Sequence, residues 1–273
     1  MVRRAISDPF YLLQGIIFIG DHNEVSKNEL FAHLSQFTDK EKKEIKKSKS
    51  DSGITDDVLF NLKILQFATD DSQKISLTSL TTNPYINLFS GTQVYQYYKN
   101  QDKQESWQMI QTNSLFFSPE IRALATFVLK KMNSVADWEI GSHFMGKTVF
   151  GHKFNSFTLP TALSQLEKLE IIKKNKTGDK AIAETRYSLL NLHTLIFCQL
   201  LIEEFNNLKQ VDDSVSYSLI KEHFALKFNI AYSDFEEKFS IVRSTLIPNL
   251  ITTGSYEKFS LRLDIARELN LYE

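Results

Sequence analysis

"LPTALSQLEKLEIIKKNKTGDKAIAETRYSL", residues 159–189, decides the fold. Leu159, Leu163, Leu166 and Leu169 recur at spacings of four and three, which places them on one face of a helix opening at Thr158 or Leu159. Pro160 suits that opening, because the first helical residue has no partner for its N–H. Ile171 and Ile172 then begin an extended run, and "NKTGDK" supplies a hairpin turn with Gly178 available for positive φ. On the return, Thr185, Tyr187 and Leu189 share one face while Arg186 and Ser188 share the other. The stretch predicts a helix, a turn and a hairpin with a lysine-rich tip.

The same order of elements is legible three times, without close sequence identity. The first pass covers about residues 8–80. Asp8 and Pro9 start a helix through "FYLLQGIIFIG", and Ser26 with Glu29 has capping-box spacing before the stripe Leu30, Leu34 and Phe37. "DDVLFNLKILQFA" turns Leu59, Leu62 and Leu65 inward, and "KISLTSL" alternates as a strand. The second pass, about 118–190, opens with Ser118, Pro119 and Glu120, continues with a short helix capped by Asp137, and ends in the stretch above. The third, about 192–263, runs from "LHTLIFCQLLIEEFNNLK" to "YSLIKEHFALKF". Ser233 and Glu236 again have capping-box spacing, ahead of Phe235, Phe239, Val242 and Leu246, and a hairpin follows Pro248.

Together these elements resemble winged-helix domains, and the chain looks like a tandem array of them, mainly α with small β-hairpins (α+β). The resemblance covers most of the chain as element order and singles out no individual family. It implies modules at 1–80, 118–190 and 191–273, the last with a long leading helix, and a Gln/Asn/Tyr-rich linker or extension at 81–117. In that superfamily the third helix usually enters the major groove and the hairpin wing touches backbone or minor groove. Many members instead use the fold for protein contact.

Charge decides which modules suit DNA. The chain of 273 residues has a formal net charge of −1, so a nucleic-acid surface has to be a local patch. Lys147, Lys153, Lys168, Lys173, Lys174, Lys176, Lys180 and Arg186 cluster in the middle module, opposed there by Glu167, Glu170, Asp179 and Glu184. Such an excess neutralises phosphates. Asn155, Ser156, Thr161, Ser164, Gln165 and Lys168, read as exposed, have side chains that reach base edges. The bland alternative is an ordinary polar helix face beside a solvated hairpin. In the other modules Asp56 and Asp57, and Asp234, Glu236 and Glu237, stand where phosphates would lie. Carboxylates there cap a helix but repel a DNA backbone, so those modules are expected to pack together or bind protein.

Two polar stretches stand apart. "DKEKKEIKKSKSDSG" at 39–53 reads as a solvated loop. Residues 81–113 read as a packed extension with a short helix at "PYINLF", or as a mobile linker. Tyr95, Tyr97, Tyr98 and Trp107 are expected to anchor it, in preference to stacking on single-stranded nucleic acid.

Little favours catalysis. The six histidines show no metal-ligand spacing, and no HExxH, Walker-type, GxSxG or Rossmann glycine pattern occurs. No cofactor is expected. The single cysteine, Cys198, excludes an intrachain disulfide and favours a reducing, cytoplasmic setting. Arg3 and Arg4 before "FYLLQGIIFIG" copy the order of a secretory signal, but the run lacks a cleavage site and is too short to span a bilayer, so a buried helix and no membrane partner are expected. The leading expectation is a non-enzymatic DNA-binding protein, a regulator or a recognition component of a larger system, contacting duplex DNA through the middle module. The rival is an adaptor whose modules bind other protein subunits or a second copy of the chain.

Overall fold

The computed structural model describes residues 9–41, 51–71, 74–81, 83–132, 134–177, 184–209, 213–254 and 257–272. The chain is mainly helical with small antiparallel sheets. It divides into two compact units, one drawn from Met1–Thr82 and Leu88–Phe117, the other from Asn83–Asn87 and Ser118–Glu273.

The first unit begins with α1 (Pro9–His22), β1 (Glu24–Ser26), α2 (Lys27–Glu41), α3 (Asp51–Ile64) and the hairpin β2 (Ala68–Asp71) and β3 (Lys74–Leu77). The expected capping box forms: Ser26 N–H donates to the Glu29 carboxylate at 2.7 Å, and Glu29 N–H to Ser26 Oγ at 3.3 Å. Leu30, Leu34, Val58, Leu59, Leu62 and Leu65 are buried with Leu12, Ile16 and Ile19 of α1, each such side chain contributing about 2 kcal/mol. β1 pairs with β3, giving the order β1-β3-β2. The lysine-dense stretch is a loop over less of its length than expected, since 39–41 end α2 and 51–53 begin α3. Residues 42–50 lie outside the described residues.

Two more helices complete this unit, α4 (Gly91–Lys99) and α5 (Lys103–Phe117). They occupy most of the segment read as an extension or linker, and "PYINLF" is not helical. Tyr95 anchors α4 to α1 by donating its hydroxyl to Asp21 at 2.7 Å, beside a Lys99–Asp21 ion pair at 2.7 Å. Asn113 of α5 is buried and saturated. Its amide donates to the carbonyls of Leu65 and Phe89 at 2.8 Å each and accepts from Phe89 N–H at 3.1 Å. Such satisfaction is what makes burial of an amide tolerable.

The second unit passes twice more through the same order. The first of these is α6 (Pro119–Lys130), β4 (Val135–Ala136), α7 (Asp137–Phe144), a small hairpin of β5 (Thr148–Val149) and β6 (His152–Lys153), α8 (Thr158–Lys168), β7 (Ile172–Thr177) and β8 (Glu184–Leu189). Then come α9 (Thr194–Leu208), β9 (Val215–Ser216), α10 (Tyr217–Phe228), α11 (Tyr232–Ile241), a π-helical turn (Val242–Leu246), β10 (Ile251–Thr253), β11 (Lys258–Leu261) and α12 (Leu263–Glu268). In each pass the short strand again pairs with the second strand of the hairpin, giving β4-β8-β7 and β10-β11-β9.

Two caps differ from expectation. Asp137 is the first helical residue of α7, and the neighbouring Ala136 N–H is satisfied by Glu139 at 2.9 Å. Ser233 lies inside α11, and its expected partner Glu236 pairs with Lys221 at 2.8 Å.

The two passes of this unit share a core across α6 and α9. Arg122, wholly buried, donates through Nε to Gln199 at 3.0 Å and through its other end to the carbonyl of Asn270. Burial pushes its guanidinium down to about 10, which leaves it charged at neutral pH. Residues 83–87 strap onto the same unit, with Asn87 N–H donating to the Leu246 carbonyl at 2.8 Å.

Candidate nucleic-acid interface

α8 and the β7–β8 hairpin carry most of the residues singled out in the sequence, and the start of α8 is set by side-chain capping. Asn155 Oδ1 accepts from the N–H groups of Phe157 and Thr158 at 2.9 and 3.0 Å, while Asn155 N–H donates to Thr158 Oγ1 at 2.9 Å. These bonds satisfy donors that a helix start otherwise leaves open. Asn155 therefore serves as a cap, and its carbonyl oxygen is occupied. Thr158 Oγ1 also reaches the carbonyl of Lys153 at 3.3 Å, which ties the β5–β6 hairpin to the first turn of α8.

Along α8, Leu159, Ala162, Leu163 and Leu166 face the core. Thr161, Ser164 and Lys168 are exposed, and their spacing of three and four puts them on one solvent face. The Thr161 hydroxyl donates back to the carbonyl of Phe157 at 2.8 Å and keeps its acceptor lone pairs. Ser156 is exposed in the turn before the helix.

Gln165 corrects the sequence reading. It was expected at the surface but is 9% exposed, although it stands four residues after Thr161 and three before Lys168, between the polar face of α8 and the buried Ala162. Asn61 holds the corresponding place in α3, and is also buried. The two helices end alike: Leu65, Gln66 and Phe67 donate to Asn61, Lys63 and Leu62, just as Leu169, Glu170 and Ile171 donate to Gln165, Glu167 and Leu166. A buried amide at this position does not reach a base edge.

On the wing, Lys173, Lys174 and Lys176 are exposed on β7. They oppose Ser188, Tyr187 and Thr185 in the ladder. Directly paired residues share a face, so Lys174 and Lys176 lie on one side of the ribbon and Lys173 on the other. Arg186 is committed elsewhere. Its guanidinium donates to Glu184 at 2.8 Å and to Ser134 Oγ at 3.1 Å, fastening β8 to the segment before β4. Hydrogen bonds from Arg186 and then Trp138 hold the Glu184 carboxyl below the usual carboxylate range. Lys180 lies outside the described residues. Lys147 and Lys153 are exposed at the base of the β5–β6 hairpin.

Two exposed aromatics escaped sequence reasoning. Phe157, at the start of α8, is 80% exposed, and Trp138 of α7 is 67% exposed with its indole N–H on Glu184 at 3.0 Å. The signal was available for Phe157, which stands off the Leu159–Leu163–Leu166 stripe.

The third helices of the other passes present different chemistry. Asp234, Glu236 and Glu237 are exposed on α11. α3 shows Phe60 and Ile64 at its surface, with Asp56 paired to Lys27 at 2.5 Å. Elsewhere, His143 stacks on Phe127 with centroids 4.3 Å apart, and burial, then the charges of Lys147, Lys130 and Lys131, holds its imidazole below the ordinary range. Cys198 is buried, which pushes its thiol up to about 12. Among the described residues no cluster of three His, Cys, Asp or Glu side chains is placed to hold a metal ion, and no helix is long and apolar enough to cross a membrane. No protein-family model, curated protein or solved structure matches the chain.

Proposed function

We propose that the three passes are winged-helix modules and that the middle one binds duplex DNA, without catalysing a reaction. α8 lies in the major groove and the β7–β8 wing follows the adjacent backbone. The solvent face of α8 carries this reading: Thr161, Ser164 and Lys168 are exposed there with side chains of base-edge reach, and the one neighbouring carboxylate on the helix, Glu167, stands at the margin of that face. Lys173, Lys174 and Lys176 supply phosphate contacts beside it. Asn155, Gln165 and Arg186 drop out of the contacting set, being respectively a cap, a buried amide and a committed guanidinium.

Binding of a labelled duplex, followed by fluorescence anisotropy through a salt series, tests the reading. Wild-type protein binds at low salt and weakens steeply as salt rises. Replacing Lys173, Lys174 and Lys176 together by Glu abolishes binding. Wild-type affinity in that triple variant overturns the proposal.

A second reading, an adaptor that binds protein, is favoured at the outer passes. Leu219 and Leu226 are exposed seven residues apart on α10, hence on one face, and α3 exposes Phe60 and Ile64. A stable partner recovered with the intact chain, together with absence of duplex binding at low salt, selects it.

A further inference from the structure

Between α7 and α8 the chain makes a detour that the third pass lacks. There, α10 and α11 are separated only by Asn229–Ala231, one of which, Asn229, has positive φ. Here the detour is a hairpin with Thr148 opposite Lys153 and Val149 opposite His152. Its ladder is extended by Phe154 N–H donating to the Lys147 carbonyl and Gly146 N–H to the Phe154 carbonyl, both at 2.9 Å.

Both ends of this hairpin are held. At the tip, Phe150 and Gly151 have φ of 48° and 74°, as a two-residue turn with both central residues left-handed requires. Phenylalanine is costly in that conformation, and its ring lies 5.8 Å from the guanidinium of Arg122, the residue bound to Gln199 and Asn270. At the base, Thr158 Oγ1 bonds to the Lys153 carbonyl, and Asn155 caps α8. Lys147, Thr148 and Lys153 remain exposed. The hairpin is thus a short arm fixed to the helix start at one end and to the shared core at the other, with two exposed cations, Lys153 on the face of its partner Thr148 and Lys147 on the opposite face.

We propose that this hairpin is a preset phosphate clamp: Lys147 and Lys153 hold backbone phosphates of the duplex that α8 reads, and Arg122, acting through Phe150, positions them. The proposal rests on the DNA reading of α8 and adds a contact separate from the wing. Phosphate contacts of this kind fix register and carry no base preference.

A salt series on one duplex, with Lys147 and Lys153 both changed to Ala, tests it. The slope of log affinity against log salt falls by about 1.8, since each phosphate contact contributes roughly 0.9. The loss is equal on unrelated duplex sequences. A wild-type slope in this variant, while wild-type protein binds and the Lys173/Lys174/Lys176 triple variant does not, overturns the clamp and leaves the α8 reading standing. Failure of the wild-type protein to bind at low salt overturns both. Phe150→Asn keeps a residue that accepts the left-handed turn but removes the ring from Arg122. It lowers affinity several-fold, and in that background the two Ala substitutions no longer change the slope. Wild-type affinity in Phe150→Asn overturns the positioning role of Arg122.

Discussion

Arg122 of α6 donates through Nε to Oε1 of Gln199 on α9 across 3.0 Å, and both side chains lie inside the protein. Breaking one side of such a pair leaves a charged donor short of a partner, which costs more than the bond itself contributed. Gln199→Leu is therefore expected to destabilise the protein by roughly 2–4 kcal/mol. Adding Arg122→Met restores part of that loss. Urea denaturation of the two single variants and the double variant checks this. Additive losses would show that the two side chains do not act together.

Stability is expected to fall in acid in two stages. Burial lowers the His33, His143 and His193 imidazoles, the last to about 3. A histidine lowered in the folded state binds fewer protons there than when unfolded, so its contribution is complete above about pH 6.5 and is lost as pH falls below it. His193 is the sharpest case, because its Nδ1 accepts from Leu195 N–H at 3.2 Å at the start of α9. His33 and His193 each contribute a slope of at most about 1.4 kcal/mol per pH unit, and the more exposed His143, screened by solvent, contributes less. At Glu204, burial raises the carboxyl, but bonds from Lys227 and His223, both 2.8 Å, outweigh it and leave it below its usual 4.5. Its contribution is complete above that value and is lost below. Urea midpoints measured from pH 8 to pH 3.5 should be level at the top, decline below 6.5 and steepen below 4.5. His193→Asn retains a capping oxygen and flattens the first stage.

Lys147→Glu should move the His143 imidazole upward. Burial is the larger cause of its lowering and keeps it below the ordinary range, while the Lys147 charge is the next. Titration of the ring protons by NMR reads the shift, and an unmoved curve would remove Lys147 from the surroundings of His143.

Gly91 admits no side chain. A Cβ there would lie 1.9 Å from the carbonyl oxygen of Phe67, which is backbone and has no rotamer to change. Gly91 N–H also donates to Thr78 Oγ1 at 3.0 Å, fixing the entry to α4. Gly91→Ala is expected to cost about 2–3 kcal/mol through overpacking, read as a lowered thermal midpoint. Gly141→Ala, where nothing lies within 4 Å, is the control and should be neutral or slightly stabilising.

What the sequence revealed follows from where periodic signals are strong. Leu159, Leu163, Leu166 and Leu169 all face the core, and the Ser26–Glu29 box forms, because a strict stripe or a reciprocal cap has few alternative solutions. α4 and α5 were obscured by composition. Ser90, Ser106, Asn113 and Ser114 are buried beside Val94, Met109 and Ile110, so burial there does not follow hydrophobicity. Ser106 and Asn113 donate to the carbonyls of Val94 and Leu65, distant backbone groups that no local pattern announces. The β5–β6 hairpin was hidden for a related reason. Its turn places Phe150 where Asn or Gly is the usual signal, and the contact with Arg122 comes from a distant part of the chain. Gln165 misled because it stands four residues after the exposed Thr161 and three before the exposed Lys168, so the helical period alone reads it as exposed, whereas it is buried. Arg186 misled because charge says nothing of commitment, and Glu184 and Ser134 already hold it.

The shared core of α6 and α9 bears on how this protein can be divided. Excising the middle pass at Leu190 would strip Arg122 of Gln199 and Asn270 together, loosening the buried cation that the tip of the β5–β6 hairpin packs against. A fragment cut there would report the behaviour of a damaged protein, whatever it bound. The smallest piece worth expressing keeps both passes of the second unit together.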